Sequence, residues 1–278
     1  MQIPVESWHR AIFVRRSRRS FIDSLPEEEK IVRVEKICRE FRLEGGVKAG
    51  AEVRAEASVR TKARVRAEFI RLSPEKVFRG IVGNYGRITG APYYVALIGE
   101  TGAPNVEESI GYLGEGVILE ATALGLGTCW VSGFFRPGAV KDHIEIAENE
   151  RVYAVTPIGY TKSDYSAKEK LYSVAAGSQK KKPLEEIVEG TSPELWQEKA
   201  IEAARIAPSA ANRQPWRFVL GEKSITVRLD SPKDSDKYPK RLDCGIAMLH
   251  IELGARAAGV KGTWQLLPAP DVARFDLI

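Results

Sequence analysis

Three patterns of hydrophobic and polar positions follow one another along the chain, and each predicts a kind of element. In residues 1–42 apolar side chains recur at helical spacing, which predicts two helices. From Val47 to Phe69 small or apolar residues occupy every odd position, and almost every even position is charged. A period of two predicts strand, and we expect two strands folded into a hairpin with one solvent-facing side. The two helical stripes consist of Trp8, Ala11 and Ile12, and of Ile31, Val34, Ile37, Cys38 and Phe41.

Longer apolar runs predict the middle of the chain. We expect a buried strand between Gly90 and Ile98 and a long apolar helix over residues 107–128. Residues Cys129 to Phe134 follow as a predicted strand and loop.

The last third of the chain predicts two helices around two strands. The first helix has a start signal in Thr191, Ser192 and Pro193, because a hydroxyl cap precedes a proline at the first helical position. Its narrow apolar stripe ends at Ala207. Strands are then predicted at Arg217–Leu220 and Ser224–Leu229, and a long helix at Arg241–Val260.

The composition is that of a globular chain with a mild excess of positive charge. Its 278 residues, 44% of them hydrophobic, suffice for one large domain or two small ones. The net charge of +5 includes two basic clusters, Arg15–Arg19 and Lys180–Lys182. Each cluster alone is typical of a solvated surface. Without a concentrated basic face and reading elements we expect no nucleic-acid partner.

The three cysteines, Cys38, Cys129 and Cys244, lie far apart and lack metal-ligand spacing. We therefore expect no metal site and a reducing, cytoplasmic location. No signal peptide and no apolar run long enough to span a bilayer are apparent, so no membrane partner is expected.

The stretch Pro208–Trp216 joins a predicted helix to a predicted strand and is expected to face a ligand. Its two prolines and small side chains leave backbone N–H groups and hydroxyls exposed. Ser209 and Asn212 are compact donors, and Ala210 and Ala211 leave room for a flat molecule. These features suit a planar cofactor; the alternative is an ordinary helix C-terminus followed by a turn.

The whole phrase from Pro208 to Trp216 resembles the flavin-binding loop of the nitroreductase family, FMN-dependent oxidoreductases that use NAD(P)H. In that family the loop comes from one subunit of a dimer and touches an FMN held mainly by the other. The loop normally lies near the N-terminus, whereas here it begins at residue 208 of 278. Other segments resemble further family motifs: Arg15–Phe21, Asn84–Arg87, Gly125–Phe134, Pro157–Tyr160 and Lys181–Ile187.

The resemblance implies two groups of contacts to FMN. Basic and hydroxyl groups would hold the phosphate and ribityl chain, since arginine meets phosphate oxygens in pairs; they are Arg15, Arg16, Ser17, Arg19, Lys181 and Lys182. Asn84 and Arg87 would contact the pyrimidine edge, where a cation stabilises the reduced flavin. For this pair, a turn with two surface residues is the alternative.

The remaining implied contacts are to the flavin ring. Backbone amides at Ser132 and Gly133 would face flavin N5. The second half of the chain would contribute Pro208, Ser209, Ala210 and Asn212. No catalytic side chain is implied: His9, His143 and His250 match no catalytic position and are assigned structural roles, and Cys129 is expected to pack as a small apolar residue.

An internal duplication is indicated by two helices with the same glycine interval. Gly111 and Gly125 match Gly245 and Gly259, and a Trp follows each helix. We therefore predict an α+β, nitroreductase-like fold in which two degenerate halves, 1–190 and a shortened 191–278, form one intertwined pseudo-dimer. A central antiparallel or mixed sheet would be flanked by helices, with one FMN site per monomeric chain, because the second half lacks the Gly-Phe turn.

The function implied by the resemblance is hydride transfer from NAD(P)H, through flavin N5, to a small electron-poor acceptor such as a nitroaromatic or a quinone. Alternatives are a non-enzymatic protein that binds or stores FMN, and another flavin reaction on the same scaffold. A basic nucleic-acid-binding module is the least favoured alternative.

Overall fold

The first two helices form as the apolar spacing predicts. The structure is a computed structural model that describes residues 1–47, 65–79, 88–164, 169, 180–190, 193–234 and 238–278. Helix α1 spans Val5–Val14 and helix α2 spans Glu28–Glu40. All the residues of the two predicted stripes are buried, because each helix turns one apolar side toward the core.

A three-stranded antiparallel sheet lies in the first half of the chain. It consists of β2 (Val65–Ile70), β3 (Tyr93–Glu100) and β4 (Glu150–Ile158), in the order β2-β3-β4. The predicted buried strand is confirmed as β3, in which Tyr94 to Ile98 are fully buried. Most of the predicted 47–69 hairpin lies outside the described residues. Its described ends do not pair with each other but belong to two different sheets.

A six-stranded mixed sheet combines segments from both predicted halves. The strands are β1 (Gly45–Val47), β5 (Val188–Glu189), β6 (Trp216–Gly221), β7 (Ser224–Leu229), β8 (Gly262–Leu266) and β9 (Asp271–Leu277). Their order is β1-β8-β9-β7-β6-β5, with parallel pairing only between β1 and β8 and between β5 and β6 in the described sheet. The two outer strands, β1 and β5, precede residue 191 and flank four strands that follow it.

Two long helices cross at the centre of the molecule. Helix α4 spans Val106–Ala123 and helix α8 spans Lys240–Ala257. A Cβ added to Gly111 would lie 2.0 Å from the carbonyl oxygen of Leu242, and one added to Gly245 would lie 2.0 Å from that of Glu108. Each glycine thus faces the residue three positions before the other glycine. The contact is reciprocal, as at an interface with two-fold symmetry.

The ends of these helices are also alike. Gly125 and Gly259 follow α4 and α8 with φ of 78° and 84°, a left-handed conformation that glycine adopts at little cost after a helix. Among the helices that the structure describes, even these two are not long and apolar enough to cross a membrane.

Several predicted boundaries are corrected by the structure. Helix α7 spans Leu195–Arg205 and starts two residues after Pro193, because Glu194 caps it: the Glu194 N–H donates to Gln197 Oε1 at 2.9 Å. Residues 129–134 form no continuous strand, since only Val131 bridges to β4, at Val155. Short helices α3 (Glu75–Phe78), α5 (Pro137–Lys141) and α6 (Leu184–Ile187) were not predicted.

Candidate functional site

A cavity of about 330 Å³ lies where the two halves of the chain meet. The segment after α1, the turn at residues 129–134 and Lys181 contribute the first-half wall. The loop Pro208–Arg213 and the first turns of α8 contribute the second-half wall. We refer to this space as the main cavity. Its size falls in the range of small-molecule and cofactor pockets.

Arg15 and Lys181 make one part of the main cavity strongly positive. The Arg15 side chain is only 12% exposed, and its Nε lies 3.9 Å from Glu115 Oε1. Nε and one terminal nitrogen of Arg15 are buried without a hydrogen-bond partner among the described residues. Burial, and then the charges of Arg15 and Arg205, lower the pKa of Lys181 to about 8. A buried cation with unused donors is suited to an anionic ligand.

A buried glutamate, Glu115, lies next to Arg15 and is hydrogen-bonded within the protein. Glu115 Oε2 accepts a hydrogen bond from Trp130 Nε1 at 2.7 Å, and Glu115 Oε1 lies 2.9 Å from His250 Nε2. The other ring nitrogen of His250 lies 2.9 Å from the Ala203 carbonyl oxygen. Because that carbonyl can only accept, Nδ1 is the nitrogen that donates to it. His250 therefore links both halves of the chain, which agrees with its predicted structural role.

The loop Pro208–Trp216 has an unusual backbone. Ala211, Asn212 and Gln214 have φ of 51°, 53° and 48°, in the left-handed region that costs most L-residues free energy. The Gln214 N–H donates to Ser209 Oγ at 2.9 Å, which closes the loop on itself. Among the described residues the Ser209 hydroxyl donates to no acceptor, so its hydrogen can be offered to a ligand. Strain of this kind is held in place by surrounding contacts and is common at ligand sites.

Asn212 and Gln214 tie the loop to the basic segment Lys180–Lys182. Asn212 Nδ2 donates to the Lys180 carbonyl at 2.7 Å, and Asn212 Oδ1 lies 3.4 Å from Lys181 Nζ. The Lys182 N–H donates to Gln214 Oε1 at 2.8 Å. The amide of Asn212 thus holds the loop against this basic segment, and its predicted contact with a ligand stays a prediction.

Asp243, on α8, holds the same loop by hydrogen bonds to Ala210 and Arg213. The Ala210 N–H donates to Asp243 Oδ1 at 3.1 Å, and Arg213 Nε donates to Oδ2 at 2.8 Å. Burial raises the pKa of Asp243 to about 6, although Arg213 and the Ala210 N–H act in the opposite direction. Both carboxylate oxygens thus accept hydrogen bonds from the loop, and the main role of Asp243 is to position that loop.

Gly133 allows the two halves to approach closely. A Cβ added to Gly133 would lie 1.9 Å from Tyr238 Cε1. The Phe134 and Tyr238 rings are 6.0 Å apart between centroids. Any larger residue at position 133 would displace the Tyr238 ring from the wall of the main cavity.

Most of the residues predicted to bind FMN line the main cavity. They are Arg15, Ser17, Arg19, Ser132, Gly133, Lys181, Pro208, Ser209, Ala210 and Asn212. Arg16 and Lys182 do not belong to the lining; Lys182 Nζ donates to the Gln214 carbonyl at 3.0 Å instead. Asn84 and Arg87 lie outside the described residues.

Other lining residues were not singled out from the sequence. Tyr238, Asp243, Leu242 and Ile246 come from α8 and the segment before it, and Trp130 comes from the turn after α4. Helical spacing identifies the apolar members of this set only as core residues. Their place at the cavity follows from the crossing of α4 and α8, which no local pattern specifies.

The comparisons with known proteins agree with the fold. The family model described as Putative TM nitroreductase matches residues 51–255. A putative nitroreductase from Thermotoga maritima is 18% identical, with a TM-score of 0.60, over 97% of this chain and 93% of that one. A nitroreductase family protein from Clostridium difficile 630 is 19% identical over 67% of this chain and 98% of that one, with a TM-score of 0.45.

A third solved structure, an FMN-dependent nitroreductase from Clostridium difficile R20291, is 19% identical over 56% of this chain and 89% of that one, with a TM-score of 0.41. No curated protein matches the chain. The family match covers well over half of the 278 residues. The α+β fold is accordingly nitroreductase-like, and the chain belongs to the Putative TM nitroreductase family, a family of oxidoreductases.

Proposed function

We propose that this chain binds FMN in the main cavity and transfers hydride from NAD(P)H to a small electron-poor acceptor. The observation that carries the proposal is the buried Arg15, whose side chain has donors without a partner among the described residues, in a cavity that Lys181 and the Pro208–Asn212 loop also line. Cations and small residues in one cavity match a ligand with a phosphate and a flat ring.

The residues present fit FMN by their chemistry. Arg15 and Lys181 supply the positive charge that a phosphate dianion requires. Ser17, Arg19 and Ser209 supply donors for the oxygen atoms of the ribityl chain and the pyrimidine edge. Ala210, Ala211 and Ile246 supply small or apolar surface for a ring system.

Bound FMN would itself supply the redox chemistry, because flavin N5 can accept hydride from NAD(P)H and deliver it to the acceptor. The protein's own groups bind and orient it. The backbone N–H groups of Ser132 and Gly133 are proposed to face N5, and Gly133 leaves space for Tyr238 to cover this part of the cavity.

We also propose that the chain is a fusion of two halves, and that it therefore holds one FMN site. The reciprocal contact of Gly111 and Gly245 supports a former two-fold axis between the halves. The residues lining the main cavity are divided unequally about it: the basic cluster and the Gly-Phe turn come from the first half, and the Pro-Ser-Ala loop comes from the second. Both contributions are needed for one complete site.

The proposal is tested by loading the protein with FMN and adding NADH or NADPH without oxygen. We expect the visible flavin absorbance to fall, and to return when a quinone or a nitroaromatic is added. Binding of FMN without reduction by either nucleotide would contradict the hydride-transfer function and would favour the storage alternative.

A further inference from the structure

A second cavity of about 500 Å³ adjoins the main cavity. The two share Ser132 and Gly133 in their linings. Tyr238 lies in the wall of the main cavity and its neighbour Pro239 in the wall of the second. We refer to this second space as the side cavity. A molecule in it would lie next to Ser132 and Gly133, whose backbone is proposed to face flavin N5.

The side cavity has apolar walls that suit a planar ring. Phe135, Val152 and Tyr153 are almost completely buried and belong to its lining. Pro137 and Ile146 complete the apolar part. Walls of this kind bind aromatic or aliphatic groups, and a few polar groups then select among them.

Arg151 is the polar group that stands out in this lining. Its guanidinium carbon lies 4.0 Å from the centroid of the Tyr153 ring. Its Nε is buried and has no hydrogen-bond partner within the described part of the chain. Because the guanidinium is stacked on Tyr153, an acceptor in the side cavity would meet the terminal nitrogens of Arg151 and their positive charge.

The neighbouring carboxylate, Glu150, is not such an acceptor. Glu150 Oε1 and Oε2 accept from Arg66 at 3.0 and 2.9 Å, so the charge of Glu150 is already compensated. Lys141, on α5, adds a second cation to the lining. Glu107 also lies close enough to Arg151 for the two charges to interact. Among the residues that line the side cavity, two cations accompany one carboxylate.

We propose that the side cavity binds the carboxylate of an aromatic electron acceptor, with Arg151 as the residue that selects it. This inference rests on the proposed function, and it narrows the acceptor to planar aromatic carboxylates. The ring would lie against the apolar part of the lining, and the carboxylate would accept from Arg151. A neutral aromatic acceptor would leave the Arg151 donor unused and would bind more weakly.

The binding test uses benzoate, with benzyl alcohol as its uncharged match, in titration calorimetry on the FMN-loaded protein. We expect benzoate to bind at least about tenfold more tightly, the effect of one charge-assisted hydrogen bond. The variant Arg151→Gln should remove this difference, and Arg151→Lys should retain part of it. Equal affinity for the two ligands in the unaltered protein would overturn the proposal, and that comparison needs no variant.

The turnover test compares 4-nitrobenzoate with 4-nitrobenzyl alcohol as acceptors. We expect Arg151→Gln to lower kcat/KM for the carboxylate at least about tenfold and to change that for the alcohol less than about twofold. Equal losses with both acceptors would show that Arg151 only supports the fold, and the inference would fail. If no acceptor is reduced at all, the proposed function fails, while the benzoate titration still decides whether the side cavity selects carboxylates.

Discussion

Arg15 and Lys181 are two cations that the fold places beside each other, with Glu115 as a nearby counter-charge. Trp130 and His250 already occupy the best hydrogen-bonding positions of that carboxylate. Lys181 Nζ donates to the Ala207 carbonyl at 3.0 Å, whereas Arg15 retains donors without a partner among the described residues. Predictions at the residue scale concern this positive charge and the strained loop that contacts Lys181.

Replacing Arg15 by Gln should weaken FMN binding by about 1.5–3 kcal/mol for each charge-assisted hydrogen bond lost. The dissociation constant can be measured by the quenching of flavin fluorescence. Arg16→Gln is the matched control, because Arg16 does not belong to the cavity lining, and it should change affinity by less than about threefold. Equal losses for the two variants would refute the phosphate-site assignment.

The pKa of about 8 for Lys181 predicts how FMN affinity varies with pH. A bound phosphate dianion would favour the charged ammonium and raise its pKa, so FMN binding above pH 8 would be accompanied by proton uptake. Affinity should therefore be highest below pH 8 and decline as the pH rises through about 8. In Lys181→Arg the guanidinium stays charged, and the affinity should remain level between about pH 7 and pH 9. A level profile in the unaltered protein would show that Lys181 is not at the phosphate.

Replacing Ala211 by glycine should stabilise the protein, since the φ of Ala211 is 51°. Ala211→Gly removes the left-handed strain, and we expect the free energy of unfolding to rise by about 0.5 kcal/mol. Ala210→Gly is the control: Ala210 has no positive φ, so this change should lower stability by about 0.5–1 kcal/mol. Urea denaturation of both variants measures the two effects. Destabilisation of Ala211→Gly would show that the left-handed backbone is not strained there.

Some residues of the site can be recognised from contiguous sequence motifs, and others only from the structure. Arg15, Ser17 and Lys181 belong to motifs that occur as contiguous phrases, and the structure brings them to one cavity. Asp243 and Arg151 have no such phrase. A lone carboxylate or arginine in a helix or strand is indistinguishable from a surface charge until its neighbours in space are known.

The crossing of α4 and α8 is the element on which the central packing depends. Gly111→Ala would place a methyl group 2.0 Å from a backbone oxygen. Because two helix backbones would have to separate, we expect the free energy of unfolding to fall by about 3 kcal/mol. Gly138→Ala is a matched control in helix α5, where an added Cβ meets no atom within 4 Å. Thermal and urea unfolding that are unchanged in Gly111→Ala would contradict the close crossing.

The elements follow from the sequence where one pattern dominates. The stripes of α1 and α2 and the apolar run of β3 were predicted because burial on one side, or on both, leaves a clear period. The two-residue strand β5 and the short helices α3, α5 and α6 were not predicted from the sequence. They are too short for any period and exist because of their tertiary contacts. The start of α7 shifted because Gln197 completes a capping box with Glu194.

At the scale of the whole molecule, the two predicted halves share one sheet. Strands β1 and β5, which precede residue 191, form the two edges of the sheet that β6, β7, β8 and β9 build. The main cavity also takes residues from both sides of that position. The glycine intervals in the sequence indicated a duplication, but they could not specify this shared sheet, because strand pairing between distant segments leaves no local signal. The duplication and the division at residues 190 and 191 remain predictions.

The most direct measurement of the central proposal is the amount of FMN retained per chain. The protein would be saturated with FMN and desalted, and flavin absorbance would be compared with the protein concentration. We predict one FMN for each chain of 278 residues, because each half supplies a different part of a single site. Two FMN per chain would contradict the single composite site, and none would contradict the assignment of the main cavity to a flavin.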